Sequence, residues 1–210
     1  MKAIFFDLDG VLIDTEWIYN KCWTQASKDL GYDLPPSEIL KLRSCDKLAA
    51  VPIFGSVENY LAVRERRKQI MEKMLETTPI LPKKGVVETV EGLRKTDLYI
   101  SIVTASSVPT ALKYLKQAGL EGLFENIIST KDIERGKPFP DVYLTAAKKA
   151  GFEPSQCYAV EDSPNGLRSA KTAGCVTIMI PDLTPLDDEV RPYTDYCVGE
   201  LIDIFTVLDM

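Results

Sequence analysis

Short apolar runs alternate with amphipathic stretches along most of the chain. The apolar runs predict strands at Ala3–Phe6, Tyr99–Val103, Asn126–Ser129, Tyr158–Val160 and Val176–Ile180. Each is followed by small or polar residues and, in most cases, by a helical pattern. Helices are predicted at Val86–Lys95, Pro109–Gln117, Asp141–Ala150 and Pro164–Ala173, two of which run into Ala118-Gly119 and Ala150-Gly151. A glycine just past a helix can take the left-handed conformation that ends it. Strands that alternate with helices in this way predict βαβ units on a parallel sheet.

One interval breaks the rhythm. Between Asp14 and about Lys83 no strand pattern occurs, and three helical stretches are predicted at Glu16–Leu30, Ser37–Ile53 and Val57–Glu76. In the third, Tyr60, Leu61, Ile70, Met71, Met74 and Leu75 recur at helical spacing, which predicts a core stripe beneath a solvated face carrying Arg64, Arg67 and Lys68. The chain therefore reads as a doubly wound, Rossmann-like α/β parallel-sheet core with an inserted all-helical domain. Residues 1–14 and 83–210 would form the core and residues 15–82 the insertion, which leaves through a proline-containing linker from Thr78-Pro79 to Gly85.

Composition narrows the chemistry. The 210 residues carry 31 acidic and 25 basic side chains, a net charge of −6, and no histidine. Histidine-based dyads, histidine general bases and Cys/His zinc sites are thereby excluded, so acid–base work falls to carboxylates, lysine, tyrosine or cysteine. The only short basic stretch is Arg64–Lys68, too little for generic binding to nucleic acid or an anionic membrane, and neither partner is expected. The five cysteines are widely spaced without a C-x-x-C and read as reduced thiols, which fits a cytoplasmic location. The apolar start of the chain reaches Asp7 and Asp9 too soon to be a secretory or membrane-spanning segment.

Four polar sets lie just past predicted strands, where open α/β sheets bind their ligands. The first is Asp7-Leu8-Asp9-Gly10, two carboxylates close enough to repel unless a cation or a proton relieves them. The second is Thr104-Ala105-Ser106-Ser107, in which hydroxyls and free amides precede a helix and suit an anion, although capping alone would account for the two serines. The third is Lys137 within Gly136-Lys137-Pro138-Phe139-Pro140-Asp141. The fourth is Glu161-Asp162-Ser163-Pro164. A parallel sheet brings the four sets together. Carboxylates, a hydroxyl and one lysine describe a site for a hard divalent cation and a phosphoryl group.

In this order the four sets resemble the motifs of the haloacid dehalogenase superfamily, in particular its helical-cap group of β-phosphoglucomutase-like and phosphoglycolate phosphatase-like enzymes. The resemblance implies that Asp7 is a nucleophile, Asp9 a general acid and base, and Thr104 and Lys137 catalytic groups that hold the phosphoryl oxygens together with Ala105 and Ser106. It implies Mg²⁺ held by Asp7, Asp9 through its carbonyl, Glu161 and Asp162, and a small phosphorylated metabolite as substrate, with Tyr19 and Arg43 of the cap as contacts. Asp9 favours phosphate over halide chemistry, since halide-cleaving members lack an acid there. A β-phosphoglucomutase-type mutase is the alternative. Against it, the chain has no histidine for the cap position those enzymes use, and Asp46 stands near the place of their phosphate-binding arginine. The phosphonate-cleaving branch would need a Schiff-base lysine such as Lys21, Lys41 or Lys47. A non-catalytic phosphoacceptor or binding protein is a reading of a different class; receiver domains lack the helical insertion. Trp17, Asn20 and Asp46 join Tyr19 and Arg43 as cap positions expected near the substrate. Oligomeric state has no signature in the sequence.

Overall fold

The computed structural model describes residues 1–208. Strands β1 (Ala3–Phe6), β2 (Tyr99–Thr104), β3 (Ile127–Ser129), β4 (Cys157–Glu161), β5 (Val176–Met179) and β6 (Tyr196–Cys197) form one sheet in the order β3-β2-β1-β4-β5-β6. Every pairing is parallel, with Ala3 opposite both Tyr99 and Cys157. Strand β1 lies at the centre and is buried along its whole length, as expected when both faces of a parallel sheet are covered. Its side chains alternate between two cores. Ile4 and Phe6 enter one, with α5 (Val86–Leu93) and α6 (Val108–Gln117), and Ala3 and Phe5 enter the other, with α7 (Asp141–Ala150) and α8 (Pro164–Ala173). This is the doubly wound α/β arrangement.

Four helices lie between β1 and α5. They are α1 (Glu16–Asp29), α2 (Pro36–Lys41), α3 (Val51–Phe54) and α4 (Val57–Met74). They share a small apolar cluster in which Trp23 stacks on Tyr60 with ring centroids 5.9 Å apart, while Phe54 meets Tyr32 edge-on at 5.1 Å. The chain leaves the core and returns at one point. Asp14 N–H donates to the Leu81 carbonyl and Lys83 N–H to the Leu12 carbonyl, both at 2.9 Å, around an antiparallel bridge between Ile13 and Pro82.

The single helix expected over Ser37–Ile53 is two short ones. Ser44 takes a left-handed φ of 52° and Pro52 sits in the first turn of α3, where a missing N–H is harmless; in a continuous helix both would break the ladder. Strand β6 escaped the sequence reading because two exposed residues carry no periodicity. A short helix α9 (Ile204–Val207) follows it and buries Ile204.

Candidate active site

The four polar sets meet at the carboxyl ends of β1, β2 and β4 and the loop before α7. Asp7 follows β1 directly, its N–H donating to the Val160 carbonyl at 2.9 Å. Gly10 then turns the chain at φ +87°, and a Cβ there would overlap the Asp162 carboxylate. That close approach needs glycine for two reasons, the positive φ and the absent side chain.

Lys137 is fully buried, and its Nζ donates three bonds: to Asp7 Oδ1 and Glu161 Oε1, both at 2.6 Å, and to the Val103 carbonyl at 3.0 Å. An ammonium has three protons, so all are used. Glu161 also accepts from Tyr143 Oη at 2.5 Å and from Ser163 Oγ at 3.3 Å. A Cβ at Gly166 would overlap the same carboxylate. Burial pushes the Asp7 carboxyl up; the Lys137 ammonium pulls it back, and Glu161 and Asp9 push it up again. Burial opposes the charge on Lys137 as well, but Asp7 and Glu161 together raise its pKa and keep it an ammonium.

Asp9 lies apart from this knot and lines the cleft beneath the helical insertion. Its Oδ1 accepts from Thr15 Oγ1 at 2.6 Å and its Oδ2 from Ser106 Oγ at 3.2 Å. Burial lifts its carboxyl pKa against those two bonds. Thr104 is buried, and its Oγ1 accepts from Ser106 N–H at 3.0 Å, which folds the residues after β2 into a tight turn. Ser107 caps α6, as its type predicts.

Asp7, Glu161 and Asp162 each offer a carboxylate oxygen within 4.8 Å of the others. Two oxygens there, Asp7 Oδ2 and Asp162 Oδ1, are buried without a hydrogen-bond partner. Leaving such groups bare costs several kilocalories per mole, so this donor set fits a hard divalent cation. The Asp9 carboxylate is outside the triplet.

Arg43 reaches the same cluster from the helical insertion. It is buried and pairs with Asp162 Oδ2, with Glu16 Oε2 at 2.7 Å and with Thr184 Oγ1 at 2.8 Å. Burial lifts Glu16 to about 7 even though Arg43 opposes the shift. Arg43 thus spends its guanidinium on Asp162 and Thr184 of the core and on Glu16 at the start of α1. The backbone beside it is tied down too: Asn165 Nδ2 donates to the Lys41 and Arg43 carbonyls at 2.9 and 2.8 Å, and Asp46 Oδ2 accepts from Gly136 N–H at 2.9 Å.

Tyr19 faces the cleft, its hydroxyl 3.5 Å from Ser106 Oγ. Asn20 instead lines a separate surface hollow, Trp17 packs on the core beneath Lys21, and Asp46 stands at the seam with the Lys137 loop. Part of the face expected to be solvated turns inward: Arg64, Arg67 and Lys68 all line the cleft. Sequence reading assigned nothing to Glu16, Tyr143 or Thr184. Tyr143 carried a signal, since it shares a helical face with Val142, Ala146 and Ala147 one turn after the Lys137 loop. Thr184 lies in an irregular loop and carried none.

A parallel α/β sheet with paired carboxylates and a buried lysine at its carboxyl edge, under an inserted helical layer, defines a hydrolase core with a cap. The chain belongs to the haloacid dehalogenase-like hydrolase family, whose model matches residues 4–180. Hexitol phosphatase A of Escherichia coli K12 is 33% identical over 194 residues, covering 90% of this chain and 88% of that protein. The phosphorylated carbohydrates phosphatase of Thermotoga maritima is 27% identical over 182 residues, covering 83% and 82%. A hydrolase from Pseudomonas syringae shares the fold with a TM-score of 0.85 at 24% identity, covering 100% and 98%.

Proposed function

We propose that the chain is a Mg²⁺-dependent phosphatase that hydrolyses a small phosphorylated sugar or similar phosphomonoester in the cytoplasm. In this reading Asp7 attacks phosphorus: a bond forms between its carboxylate oxygen and phosphorus while the bond from phosphorus to the leaving oxygen breaks. Asp9 delivers its proton to that leaving oxygen, and the alcohol departs. As a carboxylate, Asp9 then takes a proton from the water that attacks the aspartyl-phosphate, returning Asp7 and inorganic phosphate.

Lys137 fixes Oδ1 of Asp7 and leaves its buried Oδ2 without a partner. Thr104 ends β2 and Ala105 and Ser106 follow it, where a phosphoryl group would be received, and Lys137 adds positive charge beneath it. Asp7, Glu161 and Asp162 would hold the cation, with the Asp9 carbonyl as a further oxygen. Bound there, it neutralises charge on the phosphoryl group and the nucleophile. Residues 15–82 would act as a closing unit over the substrate, excluding bulk water.

One observation carries the reading: two acids two residues apart stand in different surroundings. Asp7 is salt-bridged to a buried lysine, whereas Asp9 is held by two hydroxyls and faces the cleft. That division suits one nucleophile and one proton carrier. Relatives named as carbohydrate and hexitol phosphatases support the substrate class. The test is phosphate release from sugar phosphates and p-nitrophenyl phosphate with Mg²⁺ or chelator. Metal-dependent release should fall by about a thousandfold or more in Asp7→Asn with the circular dichroism unchanged. Activity retained in that variant would remove Asp7 as nucleophile.

A further inference from the structure

The cleft beyond Asp9 has a volume of about 510 Å³ and is lined on its far side by Arg64 and Arg67 of α4 and by Lys131, which follows β3. Among the described residues no carboxylate lies within ion-pair distance of any of the three, although thirteen ion pairs form elsewhere. Glu65 and Glu72 also line the cleft without pairing to them. In a chain of net charge −6, acids are available to neutralise cations, so three left unpaired in one cleft are a local departure.

Arg67 is held in place without an ion pair, its charge exerting a pull on the Asp9 carboxyl. Its guanidinium lies 4.9 Å from the centre of the Tyr19 ring and 5.2 Å from that of Trp23, and its Nε is buried with no hydrogen-bond partner. Stacking on two aromatic faces orients a planar guanidinium, and Nη1 adds only a weak bond to Met71 Sδ at 4.0 Å. From Arg67 a line of contacts leads back to the reacting end: the Tyr19 ring beneath it, the Tyr19 hydroxyl 3.5 Å from Ser106 Oγ, and Ser106 Oγ 3.2 Å from Asp9. Reduced solvation lowers Lys131 to about 8, the charges of Arg64 and Arg67 add to the shift, and Asp46 opposes it.

We propose that Arg64, Arg67 and Lys131 form a subsite for a second anionic group on the leaving alcohol, a phosphate or a carboxylate, so that preferred substrates are small phosphomonoesters charged at both ends. The assignment rests on the phosphatase reading and narrows it. It differs from the cap-loop position raised from sequence, where Arg43 is committed to Glu16 and Asp162 and Asp46 to Gly136. Three cations around an oxyanion supply charge-assisted hydrogen bonds whose loss weakens transition-state binding by about tenfold or more.

The experiment compares three six-carbon phosphate esters with Mg²⁺ present: sorbitol 6-phosphate with a neutral tail, 6-phosphogluconate with a carboxylate, and sorbitol 1,6-bisphosphate with a second phosphate. The wild type should show kcat/KM at least about tenfold higher for one or both charged-tail esters than for sorbitol 6-phosphate, and whichever gains identifies the anion. Arg67→Gln and, independently, the exposed Lys131→Gln should each shrink that ratio several-fold, and Arg67→Lys should restore part of it. Turnover of all three esters at similar kcat/KM, or a ratio that neither glutamine variant moves, would overturn the subsite and leave the phosphatase reading standing. No turnover of these esters or of p-nitrophenyl phosphate by the folded wild type would overturn both.

Discussion

The two ends of the active-site cleft handle charge in opposite ways. At the sheet edge Lys137 is shared by Asp7 and Glu161, and Arg43 by Asp162 and Glu16, with each cation fully buried against its acids. On the far side Arg64, Arg67 and Lys131 keep their charges unpaired and partly wet. Buried charges must be matched because desolvation is costly, and matching fixes their geometry before any ligand arrives. Charges at a cleft wall can stay unmatched because water covers them until a ligand replaces it. The first arrangement suits chemistry; the second suits selection.

The contrast can be broken most severely at Lys137. Lys137→Gln leaves Asp7 and Glu161 facing each other without a cation, and urea unfolding should show a loss of about 3–5 kcal/mol. Lys131→Gln should leave stability unchanged or raised in the same measurement, because that charge is held without an ion pair and against reduced solvation. Equal losses would mean that the two ends do not differ as described. Arg43→Gln frees an oxygen of Asp162, so titration calorimetry with Mg²⁺ should report binding about tenfold tighter, roughly 1.4 kcal/mol. Weaker binding would show that Arg43 assists the cation instead of competing with it.

A smaller effect is expected at Ser163, which caps α8 by accepting from Gly166 N–H at 3.1 Å and also donates to Glu161. Ser163→Ala should cost about 1 kcal/mol in thermal or urea unfolding. The smallest effect is one of pH. Lys131 is charged below about 8 and neutral above it, whereas Arg64 and Arg67 keep their charge. The preference for charged-tail esters should therefore decline a few-fold between about pH 7 and 9. Because the folded pKa lies below that of an unfolded lysine, stability moves the other way, rising with pH between about 8 and 10.5. A preference flat across this range would remove Lys131 from the subsite.

The sheet was legible because parallel strands buried on both faces are continuous apolar runs, and the polar residues that end them stand out. Lys137 was legible as a member of the site but not in its surroundings, since a loop lysine is ordinarily solvated and nothing local announces that three acceptors wait for its protons. Arg43 lay in a recognised segment, yet its target was hidden: Glu16, Asp162 and Thr184 are 27, 119 and 141 residues away in sequence. The inward turn of Arg64 and Arg67 was hidden for a related reason. Charges at helical spacing look like a wet face, and only the rings of Tyr19 and Trp23, contributed by α1, reveal that this face borders a cleft.

The paired crossing at residues 12–14 and 81–83 has a consequence for how such a chain can change. Both ends of the helical insertion are pinned to each other by backbone bonds that no side chain specifies. The closure of this long excursion is therefore settled at its neck, and lengthening or shortening the excursion adds little, because closure entropy grows only slowly with loop length. The helices above the neck can therefore vary in number and length without redrawing the sheet below, so substrate selectivity can change there while Asp7, Lys137 and Glu161 keep their pairing.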